Sequence, residues 1–95
     1  MNKGIAKPTS FALYQNYPNP FNPVTTIQFS LPHSSFVILK IFNLLGEEVG
    51  TLVSEELNAG TYKRDWNAER LASGVYYYRI QTKEYTETKK LLLLK

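Results

Sequence analysis

The side chains able to do chemistry in this chain are few and scattered. Its one histidine, His33, lies between Pro32 and Ser34 in a predicted turn. No carboxylate is near it in sequence, so it lacks the partner a general base needs and reads as a solvated turn residue. Glu47, Glu48, Glu55 and Glu56 form two adjacent pairs beside predicted hairpins. Adjacent strand residues point to opposite faces, so neither pair closes across a sugar as a glycosidase dyad must, and both read as solvating charges. Asp65-Trp66-Asn67-Ala68-Glu69 sets oxygens at alternate positions, as calcium loops begin, without the glycine and distal glutamate that complete one. A structural calcium at that turn stays open. The chain has no cysteine, which excludes thiol catalysis, disulfides and thiolate-bound zinc, and no asparagine begins a glycosylation triplet. No cofactor is implied.

Composition narrows the class further. The 95 residues leave room for one domain with one core. Eleven basic against eight acidic residues give a formal charge of +3. A nucleic-acid binder concentrates its charge in a stripe, whereas here Lys83, Lys89, Lys90 and Lys95 are diluted by Glu84 and Glu87, so no nucleic-acid partner is expected. No apolar region follows Met1-Asn2-Lys3-Gly4-Ile5, so it is no signal peptide, and the longest apolar run, Leu91 to Leu94, is too short to span a bilayer. Aromatic residues make up 14% of the chain, nearly all Tyr or Phe, the flat side chains that fill a thin sandwich.

These residues must be held by strands. The stretch Leu71-Ala-Ser-Gly-Val-Tyr-Tyr-Tyr-Arg-Ile80 places a Ser-Gly turn before the densest aromatic and β-branched run, and predicts a central strand. Alternation sends Tyr76, Tyr78 and Ile80 to one side and Val75, Tyr77 and Arg79 to the other. Residues 25–31 alternate with Ile27, Phe29 and Leu31 inward; residues 36–43 turn Val37, Leu39 and Ile41 inward. Strands are likewise expected over 48–55, 61–66 and 85–94, and Phe11, Leu13 and Tyr14 form a short edge segment. Lys83-Glu84 has the length of a two-residue hairpin. Three prolines in Tyr17-Pro18-Asn19-Pro20-Phe21-Asn22-Pro23 interrupt any ladder and predict a stiff, polyproline-II-like arch. Residues 1–10 have linker composition, with residues 11–95 the folded domain. Six or seven short strands with turn signals at intervals of about ten residues make the pattern of an antiparallel sandwich.

Two features admit a functional reading beside a structural one. Trp66, Tyr76, Tyr77 and Tyr78 suit a sugar-stacking platform, yet core filling accounts for all but Tyr77. The tail Lys89-Lys90-Leu91-Leu92-Leu93-Leu94-Lys95 has apolar residues on both faces of a strand fenced by lysines. Either the charges guard a sheet edge against aggregation, or the strand is displayed to a receptor or to a copy of itself.

Several blocks together resemble a known family. Leu13-Tyr14-Gln15-Asn16-Tyr17 with Pro18-Asn19-Pro20-Phe21-Asn22-Pro23, Asn43-Leu44-Leu45-Gly46-Glu47-Glu48-Val49, Trp66-Asn67, Ser73-Gly74-Val75-Tyr76 and the closing Lys89 to Lys95 look like the type A C-terminal sorting domains of the type IX secretion system of Bacteroidota. The resemblance covers residues 11–95 and implies an Ig-like antiparallel β-sandwich of about seven short strands, on the pattern such sandwiches share. It implies an address label and not an enzyme. Cargo lying upstream of Met1 crosses the periplasm, is recognised by the outer-membrane translocon, and ends on the surface or secreted. A sortase-like protease then cuts within the linker, since an unstructured segment is what a protease binds. Motif residues carried over are Pro18 to Pro23, Gly46 with Val49, Trp66, Gly74 with Tyr76, and the terminal strand as the recognition element. Gly46 and Gly74 suit turns that need positive φ or a close backbone approach. Arg64 and Ile38 depart from the family pattern, and Arg64 is expected to snorkel at the rim. The competing reading is an Ig-like accessory module that binds carbohydrate or spaces another domain.

Overall fold

Period-two alternation sets the strands and decides which residues meet in the middle. The computed structural model describes residues 7–95, so the linker reading for residues 1–6 lies outside the described residues. The elements in chain order are β1 (Ala12–Leu13), β2 (Val24–Leu31), β3 (Ser35–Phe42), β4 (Glu48–Leu57), β5 (Gly60–Asn67), β6 (Gly74–Gln81) and β7 (Thr86–Leu93). They form two antiparallel sheets, ordered β1-β2-β5 and β4-β3-β6-β7. The chain changes sheet between β2 and β3, between β4 and β5, and between β5 and β6, which gives the crossed connectivity of an Ig-like sandwich.

The inward residues are those the alternation predicts. Ile27, Phe29 and Leu31 of β2 face Val37, Leu39 and Ile41 of β3 and Tyr78 and Ile80 of β6, all with no exposed surface. Strand β6 is internal, hydrogen-bonded to β3 on one side and β7 on the other. Removing a side chain such as Phe29 or Ile41 from this layer costs about 3–5 kcal/mol, as transfer and cavity terms add. Turns join the strands tightly. Thr82 N donates to Tyr85 O at 2.8 Å, closing a two-residue loop at Lys83-Glu84. Strand β4 carries two register shifts against β3, placed so that Leu52 and Val49 pack from the sandwich margin.

Candidate functional site

Strand β7 is fixed first by its partner β6, in the register Gly74↔Leu93, Val75↔Leu92, Tyr76↔Leu91 and Tyr77↔Lys90. Leu91 and Leu93 therefore enter the core, while Lys90, Leu92 and Leu94 lie on the outer face, with Leu94 half exposed. Lys95 is tied down through its backbone N, which donates to Ser73 Oγ at 3.0 Å, and through its ammonium, which donates to Glu69 O.

The other edge of β7 would expose main-chain donors and acceptors, and the proline-rich segment covers them. Gln15 Nε2 donates to Lys90 O at 2.8 Å, and Leu92 N donates to Asn19 Oδ1 at 3.0 Å. Phe21 N donates to Leu92 O and Leu94 N donates to Phe21 O, both at 3.0 Å, making a single parallel bridge between Phe21 and Leu93. The expected polyproline-II-like arch is corrected here: residues 18–20 and 22–23 are bends, set between isolated bridges that tie Tyr17 to Thr26 and Phe21 to Leu93. Strand β7 is the edge strand of its sheet, as its lysine-fenced pattern suggested, and along residues 90–94 that edge is occupied by the proline-rich segment of the same chain.

What seats this segment is a set of contacts from distant parts of the chain. Phe21 is buried against Trp66, ring centres 5.8 Å apart, and Trp66 meets Tyr76 edge-on at 5.8 Å. Ala68 N donates to Pro23 O at 2.8 Å. Beneath the arch, Asn16 Nδ2 donates to Thr25 Oγ1 at 2.9 Å and to Pro18 O at 3.1 Å, while Thr25 Oγ1 donates to Pro18 O at 2.8 Å. The Tyr78 hydroxyl donates to Tyr14 O at 2.7 Å and accepts from Asn16 N at 2.9 Å. Burial pushes the Tyr78 hydroxyl pKa up to about 12. Thr25 was not singled out from the sequence as part of a site, Gln15 and Asn16 stood there only within a motif block, and Tyr78 only as a core or sugar-stacking ring. Only the parity of Thr25, which puts it with Ile27 on the inner face of β2, signalled that a polar group there needs a buried partner.

The remaining motif residues shape the same end of the sandwich. Asn43 organises the β3–β4 hairpin: its Oδ1 accepts from Leu45 N at 2.9 Å and Glu47 N at 3.0 Å, and its Nδ2 donates to Glu47 Oε1 at 2.8 Å. Gly46 closes that turn at φ 82°, and Gly74 enters β6 at φ 148°, both conformations that side chains disfavour. Val49 packs against the core margin. Leu44 and Leu45 stand 66% and 83% exposed at the hairpin tip, and with Ser73, Gly74 and Val75 they border one shallow depression.

The residues first considered for chemistry are spread around the surface. His33 is not a lone turn histidine: its Nε2 lies 2.9 Å from Glu84 Oε1, and its ring meets Phe11 edge-on. This pair is exposed at the end of the molecule away from residues 93–95. Asp65 Oδ1 accepts from Thr26 Oγ1 at 2.7 Å, and Asn67 Oδ1 accepts from Glu69 N at 2.9 Å, so the calcium-like oxygens serve local bonds. Glu48 pairs with Lys40 at 3.0 Å, and a hydrogen bond from Thr51, then Lys40, holds its carboxyl below the usual range. Among the described residues no three His, Asp or Glu side chains are grouped to hold a metal. Trp66, Tyr76 and Tyr78 are at most 7% exposed and offer no ring face to a ligand, and Tyr77 is half-buried.

A profile of the secretion system C-terminal sorting domain matches residues 15–94. No curated protein matches the chain. Among solved structures, PorZ of Porphyromonas gingivalis, an essential bacterial surface component of the type-IX secretion system, aligns with 90% of this chain at 21% identity and a TM-score of 0.59. The alignment takes in 11% of that protein's chain, and a likeness at this identity speaks to the fold. The profile match runs from the Gln15 contact through both glycine turns and Trp66 to Leu94, and on it the chain belongs to the C-terminal sorting domains of the type IX secretion system.

Proposed function

We propose that this sorting domain is a non-catalytic address read through its terminal strand, Lys89, Lys90, Leu91, Leu92, Leu93, Leu94 and Lys95. One observation supports the reading above the rest. Residues 15–23, Trp66 and residues 73–76, far apart in sequence, all converge on the C-terminal half of β7. A fold that spends so many separate contacts on placing one short strand is organised to present it. The domain spans residues 11–95, and residues 1–10 join it to an upstream cargo. The cargo passes through the periplasm, the translocon of the outer membrane engages the domain, and a sortase-like protease cuts in the linker.

The test is export of a reporter enzyme carrying a signal peptide and this domain, in hosts with and without the translocon. Delivery to the surface or medium is expected only with the translocon present and residues 90–95 intact. Equal delivery after deletion of residues 90–95 would overturn the reading of the terminal strand. The N-terminus of any trimmed domain, read by mass spectrometry, should fall within residues 1–10.

A further inference from the structure

Trp66, Tyr76 and Tyr78 are turned inward, and the rings that are turned out belong to other residues. Tyr14 is 44% and Tyr17 81% exposed, and both border one depression on the outer face of the three-stranded sheet, whereas exposed Phe36 lies on the other sheet. Register builds the surface around the two tyrosines. Tyr14 N donates to Gln28 O at 3.0 Å, and Gln28 pairs with Lys63 on β5; Tyr17 pairs with Thr26, and Thr26 with Asp65. Opposed residues of an antiparallel pair point to the same face, so each row carries a tyrosine ring, an uncharged polar side chain and a charged one. The flanking rows hold Ala12, Ser30 and Thr61 on one side and Val24 with Asn67 on the other. On these strands Val24, at the margin, is the only outward aliphatic side chain larger than alanine.

Three observations separate this face from an ordinary wet sheet surface. Tyr17 is held out on a fixed backbone: its N donates to Thr26 O at 3.0 Å and its O accepts from Thr26 N at 2.9 Å, yet among the described residues no hydrogen bond or ring contact engages its side chain. Gln15, Asn16, Asn19 and Phe21 of the same segment all bond to or pack on the sandwich. The polar groups beside the rings have capacity to spare. Among the described residues Lys63 and Asp65, two apart on β5, form no ion pair, Asp65 accepts from Thr26 through Oδ1 alone, and the Gln28 amide opens to solvent without a partner. The charges, finally, are one cation and one anion, so this face selects for neither a polyanion nor a polycation.

Exposed ring faces beside mixed donors and acceptors fit one chemistry. A pyranose turns C–H bonds to its flat faces and hydroxyls to its rim, so it can stack on a tyrosine ring while each hydroxyl both donates and accepts. An apolar protein patch laid here would strip water from Gln28, Lys63 and Asp65 and give them no partners, which costs more than two rings return. We propose that the outer face of the three-stranded sheet binds an uncharged oligosaccharide, with Tyr14 and Tyr17 stacking on neighbouring sugar units, Lys63 and Gln28 donating to hydroxyls, and Asp65 Oδ2 accepting from one. The rows of the two rings are two residues apart on β2, about 7 Å, which suits successive units of a chain. This site lies apart from the terminal strand and does not depend on that strand being read.

The test is titration of the isotope-labelled full chain with maltohexaose, cellohexaose, mannohexaose and xylohexaose, followed through its backbone amides by NMR. At least one of the four should give saturable shifts at Tyr14, Tyr17, Thr26, Gln28, Lys63 and Asp65, with a dissociation constant in the millimolar range that a shallow site with few hydrogen bonds allows. Tyr17→Ala should weaken binding about tenfold and Lys63→Ala several-fold, while Tyr17→Phe, which keeps the ring face, stays within about twofold of the parent. Both side chains are exposed, so all three variants should melt within about 3 °C of the parent, the range for surface substitutions in a domain of this size. Shifts confined to other surfaces, or binding that Tyr17→Ala leaves unchanged, would overturn the assignment. Flat titrations with all four sugars would overturn it too, and a loss of reporter export in Tyr17→Ala would then give the exposed rings to a protein partner.

Discussion

The Tyr78 hydroxyl is the residue-scale hinge of the domain, because it satisfies a carbonyl and an amide of the segment that leads into the arch. Tyr78→Phe leaves Tyr14 O and Asn16 N without that partner in a dry site, and should cost about 1–3 kcal/mol by denaturant titration. Tyr77→Phe, on the outer face, should stay within about 0.5 kcal/mol. The raised Tyr78 pKa also fixes a pH dependence. A folded pKa of about 12, above the unfolded value of about 10, means its contribution is complete below pH 10 and is lost as pH rises towards 12. Melting temperature followed from pH 9 to 12 should fall, and less steeply in Tyr78→Phe. Glu87 works in the opposite direction. A hydrogen bond from Tyr85, then Lys89, lowers its pKa, so its contribution is present above the ordinary carboxylate range and fades as pH falls below about 4. That Tyr78 would be buried followed from alternation alone. Its polar partners, Tyr14 and Asn16, did not, because no local rule ties a hydroxyl to a backbone so far away in the chain, and the His33–Glu84 pair escaped for the same reason.

At the scale of elements, the strands were legible and the segment between β1 and β2 was only half so. Strands β2, β3 and β6 carry a period-two pattern strong enough to assign their inner faces, whereas β1 is only two residues long and β4 is interrupted by two register shifts. Three prolines announce the end of a ladder, but nothing in residues 17–23 says that Asn19 and Phe21 will lie against β7. The contact makes separable predictions. Asn19→Ala removes the acceptor for Leu92 N and nothing from the core, so exchange of the Leu92 amide, read by NMR, should speed up several-fold while global stability drops by about 1 kcal/mol. Phe21→Ala takes out a ring packed on Trp66 and should cost about 3–5 kcal/mol. Gly46→Ala, forced to φ 82°, should cost about 1 kcal/mol with no change in core packing.

For the whole molecule, an antiparallel sandwich could be read from turn spacing and aromatic content, and the Ig-like order from resemblance. Its asymmetry could not. Motif residues that are dispersed along the sequence gather at one end, where β7 finishes, and residues 7–10 lead in at the other. A chain joined ahead of the domain therefore stands clear of that end, so enlarging the reporter should leave export of the fusion unchanged as long as the domain itself is intact. Removing residues 1–23 should do far more than trim a tail: purified protein lacking them should unfold or aggregate, as judged by circular dichroism and size-exclusion chromatography, because the Tyr78 hydroxyl and one edge of β7 lose their partners together. The bridge between Phe21 and Leu93 joins two stretches that leave the ribosome at the start and the finish of the domain's synthesis. Until residues 90–94 emerge, the proline-rich segment has nothing to close upon, so this contact forms only once every strand of the sandwich has been made.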